Sequence, residues 1–215
     1  MIVPSAPSTL QGKAPNQLEI ATAREYAKPF CPRIWAIGDL RIPDKPLLGF
    51  FCSARCPGEV ILQTYDAARA LRKAKVPVIG GFHSPMEKEC LELLLRGTQP
   101  IAVCPARSII RMRIPASWRA AVTQSRMLIL SPFGPQHRRP TSAIAEQRNY
   151  FAAILAHELL VAHAAPNSKT EKFCLDLING GKRVLLLGGS NNEALISSGA
   201  CLLSISELAH NMRMS

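Results

Sequence analysis

Short, mostly apolar runs recur along this chain, and longer stretches with helical spacing separate them. The runs are Ile34–Ile37, Leu48–Cys52, Val76–Gly80, Pro100–Cys104, Met127–Ser131, Leu159–Ala162, Arg183–Gly188 and Cys201–Ile205. Runs that are apolar on both alternations suit strands covered on both faces. The intervening stretches, Gly58–Lys73, Pro85–Arg96, Ala116–Gln124, Ser142–Ala156, Lys169–Asn179 and Glu193–Ser198, suit helices. Strand–helix alternation of this kind predicts an α/β domain, with a Rossmann-like, mostly parallel sheet and helices on both faces. No internal repeat and no second core interrupts the pattern.

Length and composition agree with one such domain. The chain has 215 residues, 47% hydrophobic and 19% charged, which is enough apolar material for a sizeable core. No apolar run is long enough to span a bilayer, so no membrane association is expected. Residues 1–28 read as a flexible lead-in with a short helix; Met1 to Ala14 is rich in Pro and Ser and lacks a signal core. Residues 29–208 read as the domain and 209–215 as a tail.

The formal net charge is +11, a balance that draws anions. Between Arg107 and Arg148 stand eight arginines (107, 111, 113, 119, 126, 138, 139 and 148), no lysine, and Glu146 as the sole acid. The planar guanidinium fork matches phosphate in a way an ammonium does not, so this segment is expected to face an anionic partner. Seven cysteines are scattered without a CxxC pair, and Cys52 and Cys56 lack the second pair that a zinc site needs. They read as free thiols, mostly buried, in a reducing cytoplasm; no metal and no cofactor is expected.

Two helix starts carry chemistry. Ser84-Pro85-Met86-Glu87 is a capping box after the glycine turn Gly80-Gly81, and Ser168-Lys169-Thr170-Glu171 repeats the spacing after the strand that ends at Ala162. Both helix starts should lie past the carboxyl ends of strands, where open α/β sheets bind ligands and helix amides favour anions. Gly80, Gly81, His83, Ser84, Ser168 and Lys169 are therefore phosphate-loop candidates. There is no Walker loop, GxSxG elbow or GxGxxG turn, and no pair of carboxylates stands out, so no catalytic residue is assigned.

In order and spacing, the loops resemble those of the DNA-processing protein A family, also called DprA or Smf. Ile34–Leu40 resembles its "GDL" strand and turn, and Leu48–Arg55 its "VGSR" loop. Val78–Phe82 resembles its "VVSGLA" strand, Gln99–Cys104 its "TIAVLG" strand and Leu130–Gly134 its "SE-P-G" turn. Arg148-Asn149 resembles its "RNR" element, and Asn192–Ala200 its "N-LI--GA" motif. The similarity covers about Pro29 to Ile205. It implies a single-stranded DNA-binding core acting in DNA processing, uptake or recombination, with a RecA-like recombinase as partner and a homodimer as an assembly. Residue by residue, it implicates Ser53, Arg55 and Arg148, with Asn149 positioning. Arg138 and Arg139 join them on the arginine bias. The "GSR" glycine is absent, Cys52-Ser53-Ala54-Arg55 carries one extra residue, and His83–Glu87 replaces the "ARGID" loop.

Two readings follow. A nucleic-acid module should present an open basic groove with stacking platforms, for which Phe82, Trp118, Phe133 and Tyr150 are candidates, with core packing as the competing reading of each and the favoured one for Trp118. A nucleotide sensor or hydrolase of the same Rossmann-like superfamily should instead hold a nucleotide ligand in a closed pocket lined by Ser53, Gly80, Gly81, His83 and Ser168. Arg55 either meets phosphate or pairs with Glu59 or Asp66.

Overall fold

A computed structural model describes residues 16–18, 34–188, 192–205 and 207. The expected short N-terminal helix, Cys31, Gly189 and the tail 209–215 lie outside the described residues. Among the described residues, nine strands form one sheet in the order β1-β2-β6-β5-β4-β3-β7-β8-β9. They are β1 (Asn16–Leu18), β2 (Ile34–Gly38), β3 (Leu48–Cys52), β4 (Val78–Gly80), β5 (Ile101–Val103), β6 (Met127–Ser131), β7 (Glu158–His163), β8 (Val184–Leu187) and β9 (Cys201–Leu203). β3 to β9 pair in parallel, while β2 runs antiparallel to both β6 and β1. The sheet is thus mostly parallel, as the apolar runs imply. Strand β1 falls within the segment read as a lead-in; its three polar and apolar residues carry no strand period of their own.

Six helices among the described residues cover the sheet: α1 (Gly58–Ala74), α2 (Pro85–Leu95), α3 (Ala116–Thr123), α4 (Ser142–Leu155), α5 (Lys169–Asn179) and α6 (Glu193–Ser197). Strict alternation along each strand decides which helix meets which residue. Leu48, Phe50, Val78, Ile101, Val103, Met127 and Ile129 pack with Ala67 and Leu71 of α1, Cys90 and Leu94 of α2, and Ala121 of α3. Phe51, Ile79, Ala102, Leu128 and Leu130 point the other way, onto Phe151 of α4, Phe173 of α5 and Leu195 of α6. Both faces are therefore covered, and the doubly apolar runs follow from that burial.

Chain order reverses beside β3. The strands march outward from β3 to β6, return to β7 on the other side of β3, and continue to β9. The helices after β3 and β7 lie on opposite faces, so the loops diverge and leave a crevice at the carboxyl edge. Gly80-Gly81 and Ser168-Lys169 follow parallel strands that both neighbour β3, so the two loops share this edge. At the opposite edge Gly38 closes β2 with φ +116°, and a Cβ there would overlap the Met127 carbonyl oxygen. Gly38→Ala should therefore cost at least about 2 kcal/mol, lowering the melting temperature by about 4 °C or more; calorimetry checks this.

The β3–β7 ladder also buries a titratable group. Between the pairs Phe51↔Val161 and Cys52↔His163 the register slips, leaving Ala162 as the extra residue of a bulge. His163 is buried, its Nδ1 has no partner among the described residues, and burial holds its pKa below 6.5. Below pH 6.5 the unfolded chain takes up a proton that the folded chain refuses. This contribution is complete above the unfolded value and is lost as pH falls through the lower folded one. The melting temperature should fall as pH drops below 6.5, and His163→Gln should flatten that fall in a thermal-shift pH series.

Candidate nucleic-acid interface

The carboxyl edge is organised by a buried carboxylate. Glu87 stands at the third position of α2, where its side chain completes the expected capping box: Glu87 N donates to Ser84 Oγ at 3.3 Å and Ser84 N to Glu87 Oε2 at 3.3 Å. The same carboxylate also accepts from His83 N at 2.8 Å and from Cys52 N at 2.9 Å, reaching the end of β3. The sequence pattern assigns Glu87 to the cap alone. Its bond to Cys52 spans 35 residues and has no local signature.

Arg148 meets this arrangement from the other face. Only 4% exposed, it extends from α4, donates Nε to Asn149 Oδ1 at 2.8 Å and Nη1 to the Cys104 carbonyl at 3.1 Å. Its guanidinium lies so close to Gly81 that a Cβ there would overlap Nη1, the physical reason for glycine at that position. Burial lowers the Arg148 pKa, and the nearby Glu87 charge partly offsets this. His83 is held below its usual value, first by partial burial and then by the Arg148 and Lys88 charges, so it is neutral at pH 7.

At the crevice the two serines come together. Ser53, 3% exposed, accepts from Ala165 N at 3.0 Å, lies 3.5 Å from Ser168 Oγ, and donates its own amide to the His163 carbonyl at 2.8 Å. Ser53 thus joins the loops after β3 and β7 rather than facing solvent. Ser168 caps α5 through Glu171 N at 3.1 Å; Glu171 does not close a box but accepts from Asn167 N at 2.7 Å. Lys169 leans to α4, donating to Ser142 Oγ at 2.6 Å and lying 3.8 Å from Glu146.

Arg55 is exposed and makes no ion pair among the described residues; Asp66 is taken by Arg69 at 2.8 Å. It stands just before α1, whose N-cap, Pro57, offers no side-chain cap, so the Gly58 and Glu59 amides beside it stay open, while the Val60 amide donates to the Pro57 carbonyl at 3.0 Å. The arginine-rich segment divides. Arg107, Arg111 and Arg113 lie on the loop after β5, and Arg138 and Arg139 on the loop after β6; all five are exposed and none forms an ion pair among the described residues. These loops are zipped together by Ser108 N to the His137 carbonyl at 2.7 Å and Ser131 Oγ to the Arg107 carbonyl at 2.7 Å. Arg126 instead precedes β6 at the amino edge, where its Nη2 donates to the Leu95 carbonyl at 2.8 Å. The eight arginines are therefore not one surface.

Of the candidate platforms, Phe133 is buried beside His137, and Tyr150 packs edge-on against Phe173 and donates its hydroxyl to Asp176 at 2.6 Å. Phe82 and Trp118 both border a pocket of about 470 Å³, together with Gly81, His83, Lys88 and Arg148. Phe82 is buried there against Phe50, with centroids 6.3 Å apart, whereas Trp118 is half-buried. Ser53, Gly80 and Ser168 do not line this pocket, whereas Gly81 and His83 do. Among the described residues, no cluster of His, Cys, Asp and Glu could hold a metal, and no helix is long and apolar enough to cross a membrane. Cys52, Cys90, Cys104 and Cys174 are buried free thiols, and Cys201 is exposed.

No family model matches the sequence, and no curated protein sequence matches it. Solved structures do. The chain is similar to DNA processing protein A from Helicobacter pylori, a single-stranded DNA binder: TM-score 0.73, 17% identity, over 93% of this chain and 94% of that one. Its similarity to DNA processing protein A from Streptococcus pneumoniae has a TM-score of 0.69 and 18% identity, over 83% of this chain and 66% of that one. A molybdenum cofactor binding protein from Rippkaea orientalis shares the core more distantly, with a TM-score of 0.56, 8% identity, and coverage of 79% of this chain and 96% of that one. By these similarities this chain has a Rossmann-like fold like that of DNA processing protein A.

Proposed function

We propose that the carboxyl edge of the sheet binds single-stranded DNA, and that the chain acts in DNA processing, uptake or recombination within the cytoplasm. The observation that carries this reading is the set of five exposed, unpaired arginines on two loops tied to each other at one edge, with Arg55 unpaired at the same edge, among the described residues. Unpaired guanidinium groups on short, anchored loops can each meet a phosphate without first breaking an internal ion pair. The likeness to the Helicobacter pylori protein supports the same reading. Arg148 and Asn149 sit beneath this surface and shape it, Ser53 and Ser168 hold the crevice, and Ser84 with Glu87 holds the loop of His83. A RecA-like recombinase and a second copy of this chain are the protein partners this reading calls for. It requires no catalytic residue and no cofactor.

Backbone binding weakens with salt through counterion release, with a slope of about 0.7 per phosphate contact for single strands. Replacing Arg138 and Arg139 together by alanine should weaken oligonucleotide binding equally for all sequences and reduce the salt slope by about 1.4. An unchanged slope in a folded double variant would assign these arginines to solubility alone.

Arg55→Ala should cost about 1–3 kcal/mol in binding to a single strand while leaving the melting temperature within error. Fluorescence anisotropy with a labelled oligonucleotide, beside a thermal melt, measures both. A lowered melting temperature with unchanged affinity would make Arg55 a structural residue.

A further inference from the structure

The pocket beside Trp118 has a lining that backbone phosphate binding does not require. Its volume of about 470 Å³ falls in the range of small-ligand sites. One wall is apolar: Leu91 of α2, Val103 of β5 and the indole of Trp118. Trp118 sits in the first turn of α3, where its amide donates to the Pro115 carbonyl at 3.1 Å, so its backbone is fixed. It is half-buried, packed on the core beneath while part of its surface lines the pocket. The other aromatic candidates are buried or spent on internal contacts, which leaves this ring as the platform.

The floor carries a cation with donors to spare. A guanidinium has five N–H groups. Arg148 gives one to Asn149 and one to Cys104, and among the described residues no protein group accepts from its Nη2. Glu87, the acid whose charge it feels, already accepts from three backbone amides. A cation 4% exposed and incompletely bonded, lining a cavity, presents free N–H donors to whatever anion enters that cavity. The rim adds Lys88 and Arg107 but also the carboxylates of Glu89 and Glu92. Those acids repel a ligand that is only phosphate, whereas they can accept from the exocyclic amine of an aromatic base.

We infer that this pocket takes one nucleotide, its planar base stacked on Trp118 and its phosphate held toward Arg148 and the loop of His83. The nucleotide comes either from a bound single strand, in which case the inference rests on the function proposed above, or from the free pool.

The test uses the full chain with Trp35→Phe, which leaves Trp118 as the sole tryptophan, with the wild type measured in parallel. Trp118 emission is titrated with dAMP, a short oligodeoxyadenylate, an abasic strand of equal length and inorganic phosphate, while anisotropy of a labelled strand reports binding separately. Quenching by the oligodeoxyadenylate but not by dAMP assigns the pocket to a base of the strand; quenching by dAMP assigns it to the free nucleotide. Either supports the inference, and Trp118→Leu should then weaken the quenching ligand roughly 5- to 160-fold, the loss expected for one stacked base. Strand binding with unchanged Trp118 emission overturns the pocket and leaves the DNA reading standing. Equal quenching by the abasic strand or by phosphate also overturns it. Quenching by dAMP without strand binding keeps the pocket and removes the DNA reading.

Discussion

The carboxyl edge of this sheet depends on the Glu87 carboxylate, which is 6% exposed and accepts from the amides of Cys52, His83 and Ser84. Parallel strands end with amides that the ladder no longer satisfies, and buried amides must be paired. Here one acid side chain does so for the end of β3, the loop after β4 and the cap of α2 together. Charge-assisted bonds of this kind are stronger than neutral ones, and losing the acceptor would leave several buried donors bare. The loop geometry around His83 and Gly81 therefore rests on one side chain from α2.

Arg148 brings the second face to the same place. It crosses from α4 over Gly81, where a side chain would displace its guanidinium, and ends on the Cys104 carbonyl beyond β5. An acid from one helical layer and a base from the other thus meet around the ends of β3, β4 and β5. The arrangement ties both layers to the edge and leaves a cation facing a cavity. Around it, the loops after β5 and β6 are bonded to each other, so their arginines are presented from an anchored base.

Much of this framework is legible in the sequence. Strands β3 and β6 and helix α5 begin and end where periodicity and capping place them, because both signals reside in a few neighbouring residues. The capped starts of α2 and α5 lie beyond strand ends as expected. Other features depend on neighbours that are distant in the chain. Arg126 is close in sequence to the arginines of the basic loops, yet it lies across the sheet from them, because β6 carries the chain from one edge to the other. Phe82 stands on the glycine loop but turns into the core onto Phe50, and its φ of +46° shows the backbone bending to allow it.

By itself the sequence determined the parallel α/β class, the two buried faces of the central strands, the capped helix starts and the surplus of arginine, since each is written in local spacing or composition. Only the tertiary structure decided that β7 returns to lie beside β3, which opens the crevice and brings Ser53 to Ser168 across 115 positions. It alone decided that Glu87 reaches Cys52, that Arg148 reaches Cys104, and that Trp118 borders a cavity. The physical reason is common to all of these. Contacts between residues far apart in the chain depend on how whole layers pack, and no short stretch of sequence carries a record of its partner.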